Sequence, residues 1–346
     1  MNRLFTSYKY ELKKLIVVRK GWIFLLCVIL VQLTAALFVN PTQEYVFDKG
    51  MYAEYTELYG GEYSDEKASA IGEELQAVDQ IANETDLMQV TDAEKIEELS
   101  QDMLIASAKQ NVLNALQSKY AELSVCKEYH PILTYDLDLN EYISKFGINW
   151  VSLICMLFFI PMLMLGDKNS GMEQIIFPTS TGRKTVVSSK LIAGITLGLC
   201  ITAVCSVIQI LIMGIRWNFG SLSVPVQSLS GFGECRISLS ILECMIICTA
   251  VQIISSVAFV LIISIFSSLL KKEPAVISAA LILVLMSAFL AEKFSSVSML
   301  FLFTQMSGIS GIKTFSNEQL FLSCLILLLK TVILAISAKY LASRKE

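Results

Sequence analysis

The sequence predicts an all-α polytopic membrane protein with six transmembrane helices, an N-terminal amphipathic elbow helix and an extracellular helical hairpin domain. Three observations carry that reading. Six runs of the 346-residue chain (21–39, 148–166, 191–213, 237–268, 274–291 and 320–338) are apolar and nearly free of charge. About 20 such residues cross a hydrocarbon core of about 30 Å as a helix. Charge is segregated: residues 40–146 hold 7 Lys+Arg against 22 Asp+Glu, a net of −15, while the other 239 residues carry +11, which leaves −4 for the whole. Finally, 54% hydrophobic residues and 17% charged ones, with a mean hydropathy of +0.61, lie outside the soluble norm of about 45–50% and about 25%.

Residues 1–20 place Leu4, Phe5, Tyr8, Leu12, Leu15 and Ile16 on one helical side, with Lys9, Lys13, Lys14 and Lys20 on the other. That pattern is a basic amphipathic helix lying in the membrane interface and leading into span 1. The first apolar run exceeds the h-region of a signal peptide and no A-x-A-like site follows, so it reads as a retained signal-anchor helix.

Residues 40–146 form an acidic inserted domain. Thr91 and Glu94 match a capping box, opening a run in which Ile96, Leu99, Met103, Ala106, Leu113, Leu116, Tyr120 and Leu123 recur at mostly three- and four-residue steps. A preceding helix around 66–82 carries Ile71, Leu75 and Val78, and the two predict an antiparallel helical hairpin. Tyr45, Phe47, Tyr52, Tyr55, Tyr59 and Tyr63 cluster before it. They either pack the domain base or an interfacial belt, or they form a substrate-contact surface. Asn83-Glu84-Thr85 matches a glycosylation sequon, which is without meaning in a bacterial cell. His130-Pro131 reads as a turn.

Spans 2 to 6 follow with few charges. Lys330 stands midway along span 6, where a cation costs about 2.5–3.5 kcal/mol by insertion scales and should face the bundle interior or a wet cavity. Glu243 lies near the start of the long fourth run. Either it sits at the outer interface without a partner, or it pairs with Lys330, or it joins a polar patch with Gln209 and Gln252. Orientation follows from Lys and Arg near the helix ends: 15 basic residues against 5 acidic fall on one side if there are six crossings. Both termini are therefore expected in the cytoplasm and residues 40–146 outside the cell membrane.

The loop at 167–190 is the most informative stretch. It runs from Gly166-Asp167-Lys168 through Gly171-Met172-Glu173 and the short apolar piece Ile175-Ile176-Phe177. Pro178-Thr179-Ser180-Thr181-Gly182-Arg183-Lys184 follows, and Lys190 starts the third span. Here the chain resembles the ABC-2 family of ATP-binding-cassette transporter permeases. That family places an acidic residue and a Gly-x-Glu stretch after span 2, then a short helix, a Pro-Thr/Ser turn with Arg and a Lys at the third span. The resemblance extends over most of the chain, including the apolar stretch 297–303 followed by Gly308 and Gly311, which looks like the re-entrant external hairpin between spans 5 and 6. The enlarged external domain departs from compact members and leaves the substrate class open.

The resemblance implies a permease subunit of an exporter, moving a peptide, an antimicrobial or a lipid-like substrate. Asp167, Glu173, Ile176, Phe177, Pro178, Arg183, Lys184 and Lys190 would form the coupling loop to a separate ATPase subunit, and a second permease copy or homologue would complete the transporter. ATP and Mg would be bound by the partner ATPase and no cofactor by this chain, which is not expected to be an enzyme. The Walker A pattern is absent, since the dipeptide Gly-Lys never occurs. Leu229-Ser230-Gly231-Phe232-Gly233-Glu234 superficially resembles the signature sequence of such ATPases but falls in a predicted external loop. The rival expectation is a membrane receptor or scaffold whose external domain binds a ligand or partner without transport.

Other classes are excluded. One histidine, His130, builds no multi-His metal site. No single basic footprint marks a nucleic-acid binder, and paired intramembrane carboxylates for an enzyme are missing. Of nine cysteines, seven lie in apolar runs as small hydrophobes. Cys126 and Cys235 lie outside them on the external side, and either pair or stay free.

Overall fold

Helices account for nearly all of the regular structure, as the apolar runs require. The computed structural model describes residues 2–18, 20–38, 47–84, 93–147, 149–169, 180–217, 220–294, 298 and 300–344. The helices are α1 (Asn2–Lys13), continued by a π-helical turn at Lys14–Val18, and α2 (Gly21–Phe38). Then come α3 (Lys49–Leu58), α4 (Asp65–Glu84), α5 (Ala93–Val125) and α6 (Leu137–Phe146). The remainder are α7 (Trp150–Asn169), α8 (Ser180–Trp217), α9 (Ile241–Leu270), α10 (Glu273–Lys293), the short α11 (Leu302–Met306) and α12 (Asn317–Arg344). Five of them (α7, α8, α9, α10 and α12) are long and apolar enough to cross a membrane. A sixth crossing results if 4–18 and 21–34, which meet at a 69° bend, count as one span. The chain is thus an all-α multi-pass membrane protein.

The inserted domain holds the predicted hairpin. Its helices run antiparallel: the Gln110 amide donates to Asp79 at 2.6 Å, while Lys127, in the 3₁₀ turn just past α5, reaches Asp65 at the start of α4 at 2.7 Å. Ile71 and Val78 pack between the helices against Val112, Leu113, Leu116 and Leu123, the three- and four-residue periodicity read from the sequence. The helix bounds differ little from expectation, and the Thr91 end of the proposed capping box lies outside the described residues. The aromatic cluster packs the domain itself. Tyr52 is buried in its core, and Tyr63 sits against Tyr120 with ring centroids 5.6 Å apart; Tyr45 lies outside the described residues. A two-residue ladder pairs Gly61 with Leu133 and Glu62 with Ile132, closing the domain around its turn. Gly61 has φ +101°, a conformation an L side chain resists. His130 ends a 3₁₀ turn in the left-handed region at φ 48°, in keeping with a turn residue.

Glu74 ties α4 to both neighbours. It accepts from the Tyr55 hydroxyl at 3.2 Å and pairs with Lys109 of α5 at 2.7 Å. Partial burial opposes its ionisation. Hydrogen bonds from Lys109, Tyr59 and Tyr55, together with the Lys109 charge, outweigh that and hold the carboxyl below its ordinary 4.5. The hydrogen bond to Glu74, first, lifts Lys109 above its ordinary 10.5. A carboxyl with a depressed folded pKa stabilises fully above its unfolded pKa, and that contribution is lost as pH falls through the folded value. The raised lysine stabilises fully below 10.5 and loses its contribution as pH rises through the folded value. Stability of the domain is expected to be level between these limits and to drop on the acid side. Glu74→Gln should flatten the acid limb in thermal denaturation at a series of pH values; an unchanged acid limb would count against the network.

The bundle has two apolar cores. One joins α7, α8, α9 and α10 through Leu153, Met156, Ile160, Ala193, Leu197, Phe259 and Val260, and takes in Leu15 from the first helix. Gly198 lets α8 approach α9 closely, and Gly194 lets it approach α7. A Cβ on Gly198 would lie 2.7 Å from Val260 Cγ2, and one on Gly194 3.1 Å from Met164 Cε. Small residues four apart bring membrane helices together in this way. The other core lies at the domain end, where α6, the ends of α8 and α9 and the segment 222–237 pack around Leu222, Val226, Phe232 and Ile237.

Several bounds depart from expectation. The fourth span is expected from 237, but α9 starts at Ile241. The third is expected from 191, but α8 starts at Ser180. A count of apolar residues stops at Lys190, whereas a helix continues through Thr, Ser and Lys wherever its backbone bonds close. Span 6 likewise extends from 320–338 to Asn317–Arg344. The stretch 297–303 does not cross. Its described part leads into α11, which packs on α9 with Gln305 and Met306 buried.

Candidate functional site

At the end of the bundle opposite the domain, three helices converge on one carboxylate. Asp167, two residues before the end of α7, is 4% exposed. Its Oδ1 takes the Lys14 ammonium from the π-helical turn, and its Oδ2 takes the Lys190 ammonium from α8 at 2.6 Å. Lys190 also donates to the Met164 carbonyl at 3.4 Å. Beside this, Ser7 of α1 and Ser189 of α8 share a hydrogen bond of 2.8 Å. Glu11, 5% exposed, lines a small hollow with Lys14, Leu15 and Asp167, so the buried charges alternate in sign. Charge-assisted bonds of this kind are short and about twice as strong as neutral ones. Removing one partner leaves the others buried without compensation. Chemically the cluster holds no catalytic arrangement. It ties the first helix, through Ser7 and Lys14, to the end of α7 and to the Ser189–Lys190 stretch of α8.

Two of the eight predicted loop residues, Asp167 and Lys190, meet directly. Glu173, Ile176, Phe177 and Pro178 lie outside the described residues. Arg183 and Lys184 belong to the first turns of α8, so the expected loop of 167–190 is helical at both ends. Lys14, Ser7 and Glu11 escaped the sequence reading. A signal was present for Glu11: with Leu4, Tyr8 and Leu15 it falls at steps of four, three and four, on the apolar stripe of the first helix. An acid on such a stripe needs a buried cation, and Lys14 stands three residues on.

A second, uncharged polar group lies toward the domain. Gln209 and Ser206 of α8, Thr249 and Gln252 of α9, Tyr142 of α6 and Gly308 line a chamber of about 40 Å³. Gln252 Nε2 donates to the carbonyls of Gly147 at 2.8 Å and Met306 at 3.1 Å. Its Oε1 accepts from Ser206 at 3.5 Å, and Ser206 accepts from Asn149 at 3.5 Å. Gln209 and Gln252 thus line the same chamber, and Glu243 and Lys330 are not among its lining residues.

Those two charges do not pair. Glu243 is the third residue of α9 and closes a capping box with Ser240, accepting from the Ser240 amide at 2.9 Å and facing out of the bundle. Lys330 donates to the carbonyl of Leu300, ahead of α11. The physical reason is the start of α9 at Ile241, which makes Glu243 an N-terminal residue of the helix, where carboxylates are favoured. Nor are Cys126 and Cys235 joined. All nine cysteines are free, and the Cys126 thiol donates to the Gly233 carbonyl at 2.6 Å.

The segment 229–234 serves the fold. Its Ser230 amide donates to Asp136 Oδ2 at 2.6 Å and its Gly231 amide to Glu122 at 3.1 Å, fastening the connection between α8 and α9 to the helical domain. The chain matches no protein-family model, no curated protein and no solved structure.

Proposed function

We propose that this chain is the membrane-spanning permease subunit of an ABC-2-type ATP-binding-cassette transporter that exports a peptide, an antimicrobial or a lipid-like substrate. A separate ATPase subunit binds ATP and Mg, and a second permease copy or homologue completes the transporter. The single observation that carries the reading is the ion cluster at Asp167. A force applied to the segment after α7 passes through Asp167 to Lys14 and Lys190, and thus to the amphipathic first helix and the start of α8 together. That is what a coupling element must do, because a displaced loop on independent helices moves only itself. The excess of Lys and Arg on alternate connections sets the termini and the 170–179 segment in the cytoplasm, with the acidic domain outside the cell.

The test is recovery of the ATPase with the tagged full-length chain. Alanine at Glu173, Ile176, Phe177, Arg183 and Lys184 together should abolish that recovery while the chain still reaches the membrane. Undiminished recovery would remove the coupling role. Should the wild-type chain neither retain nor stimulate any ATPase, the receptor or scaffold reading takes its place.

A further inference from the structure

Asp167 and the chamber are held by different chemistry. Ion pairs at Asp167 break only by leaving buried charges alone. The chamber itself is held by neutral hydrogen bonds, which exchange for water at little net cost.

At the chamber end three segments cross at Gln252. Gln252 is 6% exposed, and both hydrogens of its amide are used. One goes to Gly147, between α6 and α7, and the other to Met306, the last residue of α11. Gly308 crosses at the same place with φ +63°. A Cβ there would stand 2.6 Å from the Gly147 oxygen and 2.7 Å from Gln252 Nε2, so only glycine lets the two backbones touch. The strap that carries these contacts is a five-residue helix and a five-residue 3₁₀ turn, Leu302–Met306 and Gly308–Ile312. Its near end is anchored, since the Leu300 carbonyl accepts from Lys330 on α12. Its start is fixed by a cation, and further along two α9 residues hold it, Gln252 at Met306 and Ser255, whose hydroxyl donates to the Gln305 carbonyl at 3.4 Å. Among the described residues lining the chamber none is charged, and Cys248, one turn before Gln252 on α9, is among them and 5% exposed.

We infer that Gln252 is a latch. It closes the domain end of the chamber by joining Gly147 to the strap, and its release parts Gly147 from the strap at Met306 and Gly308 and admits water and small uncharged hydrogen-bonding groups. The latch is independent of how the protein is powered, so the ATPase reading can fail without it.

Cys248 serves as a native reporter. The full-length chain in lipid nanodiscs is treated with a membrane-impermeant maleimide, and labelling rates are resolved cysteine by cysteine by mass spectrometry. In the wild-type chain Cys248 should react slowly. Loss of two buried hydrogen bonds in Gln252→Ala should raise its rate about tenfold or more, because labelling follows the open fraction. Gly308→Ala should raise it as well, since its Cβ would crowd both the Gly147 oxygen and the Gln252 amide. Cys155 in the bundle core and Cys126 in the domain, both buried, should keep their wild-type rates in each variant. An unchanged Cys248 rate in both variants overturns the latch, and so does a parallel rise at Cys155 and Cys126, which would mark a merely structural glutamine.

Discussion

Asp167→Asn is expected to cost about 3–5 kcal/mol of bundle stability, the range for stripping one partner from a buried ion pair. Two ammonium groups depend on this carboxylate, and both are well shielded, with Lys14 17% and Lys190 9% exposed. Asparagine keeps the shape and one acceptor but removes the charge, so the loss should be read as electrostatic. Thermal denaturation of the solubilised chain measures it, together with tryptic cleavage at Lys9 and Lys13 of the first helix. A variant that melts with the wild type and keeps that helix protected would show that the cluster does not hold α1 to the bundle. Replacing all three partners by apolar residues of similar volume, Lys14→Met, Lys190→Met and Asp167→Leu, should recover most of the stability, since buried charge clusters are often no more stable than packed hydrocarbon.

Asp136→Asn should produce a comparable loss in the helical domain. Asp136 precedes α6 and pairs with Lys119 of α5, the two side chains 1% and 4% exposed. Its other oxygen takes the Ser230 amide. One carboxylate thereby joins the hairpin, the helix leading into α7 and the connection between α8 and α9. The expected cost is again about 3–5 kcal/mol, seen as earlier melting and faster proteolysis of the domain in the intact chain. The control is Asp65→Asn. Its pair with Lys127 is solvent-exposed, where screening and side-chain entropy leave little net stabilisation, so no measurable change is expected. Equal effects at the two positions would refute the argument from burial.

Much of the fold was legible because membrane helices announce themselves locally. An apolar run of span length has no soluble alternative, and Leu113, Leu116 and Leu123 named their helical face by spacing alone. The site was legible only in part. Asp167 and Lys190 stood out through the family resemblance of the 167–190 loop, and Gln209 and Gln252 as polar residues within apolar runs. The sequence reading left the partner of Glu243 open, because composition does not say where along a long run the helix begins. Once α9 starts at Ile241, Glu243 is a cap and needs no cation. Gly308 went unweighed as a contact, since the carbonyl it touches lies at Gly147, remote in the chain.

The sequence by itself determined the class of the protein: helices that cross a membrane, an acidic helical domain inserted after the first of them, and a surplus of positive charge on alternate connections. These follow from the energetics of single segments in water or hydrocarbon, which neighbouring residues decide. Only the tertiary structure decided which groups meet. Lys14 and Asp167 are 153 positions apart, and Gln252 and Gly147 are 105 apart. Periodicity says which face of a helix is buried. Which other helix lies against that face, and at what height, is set by the packing of the whole bundle.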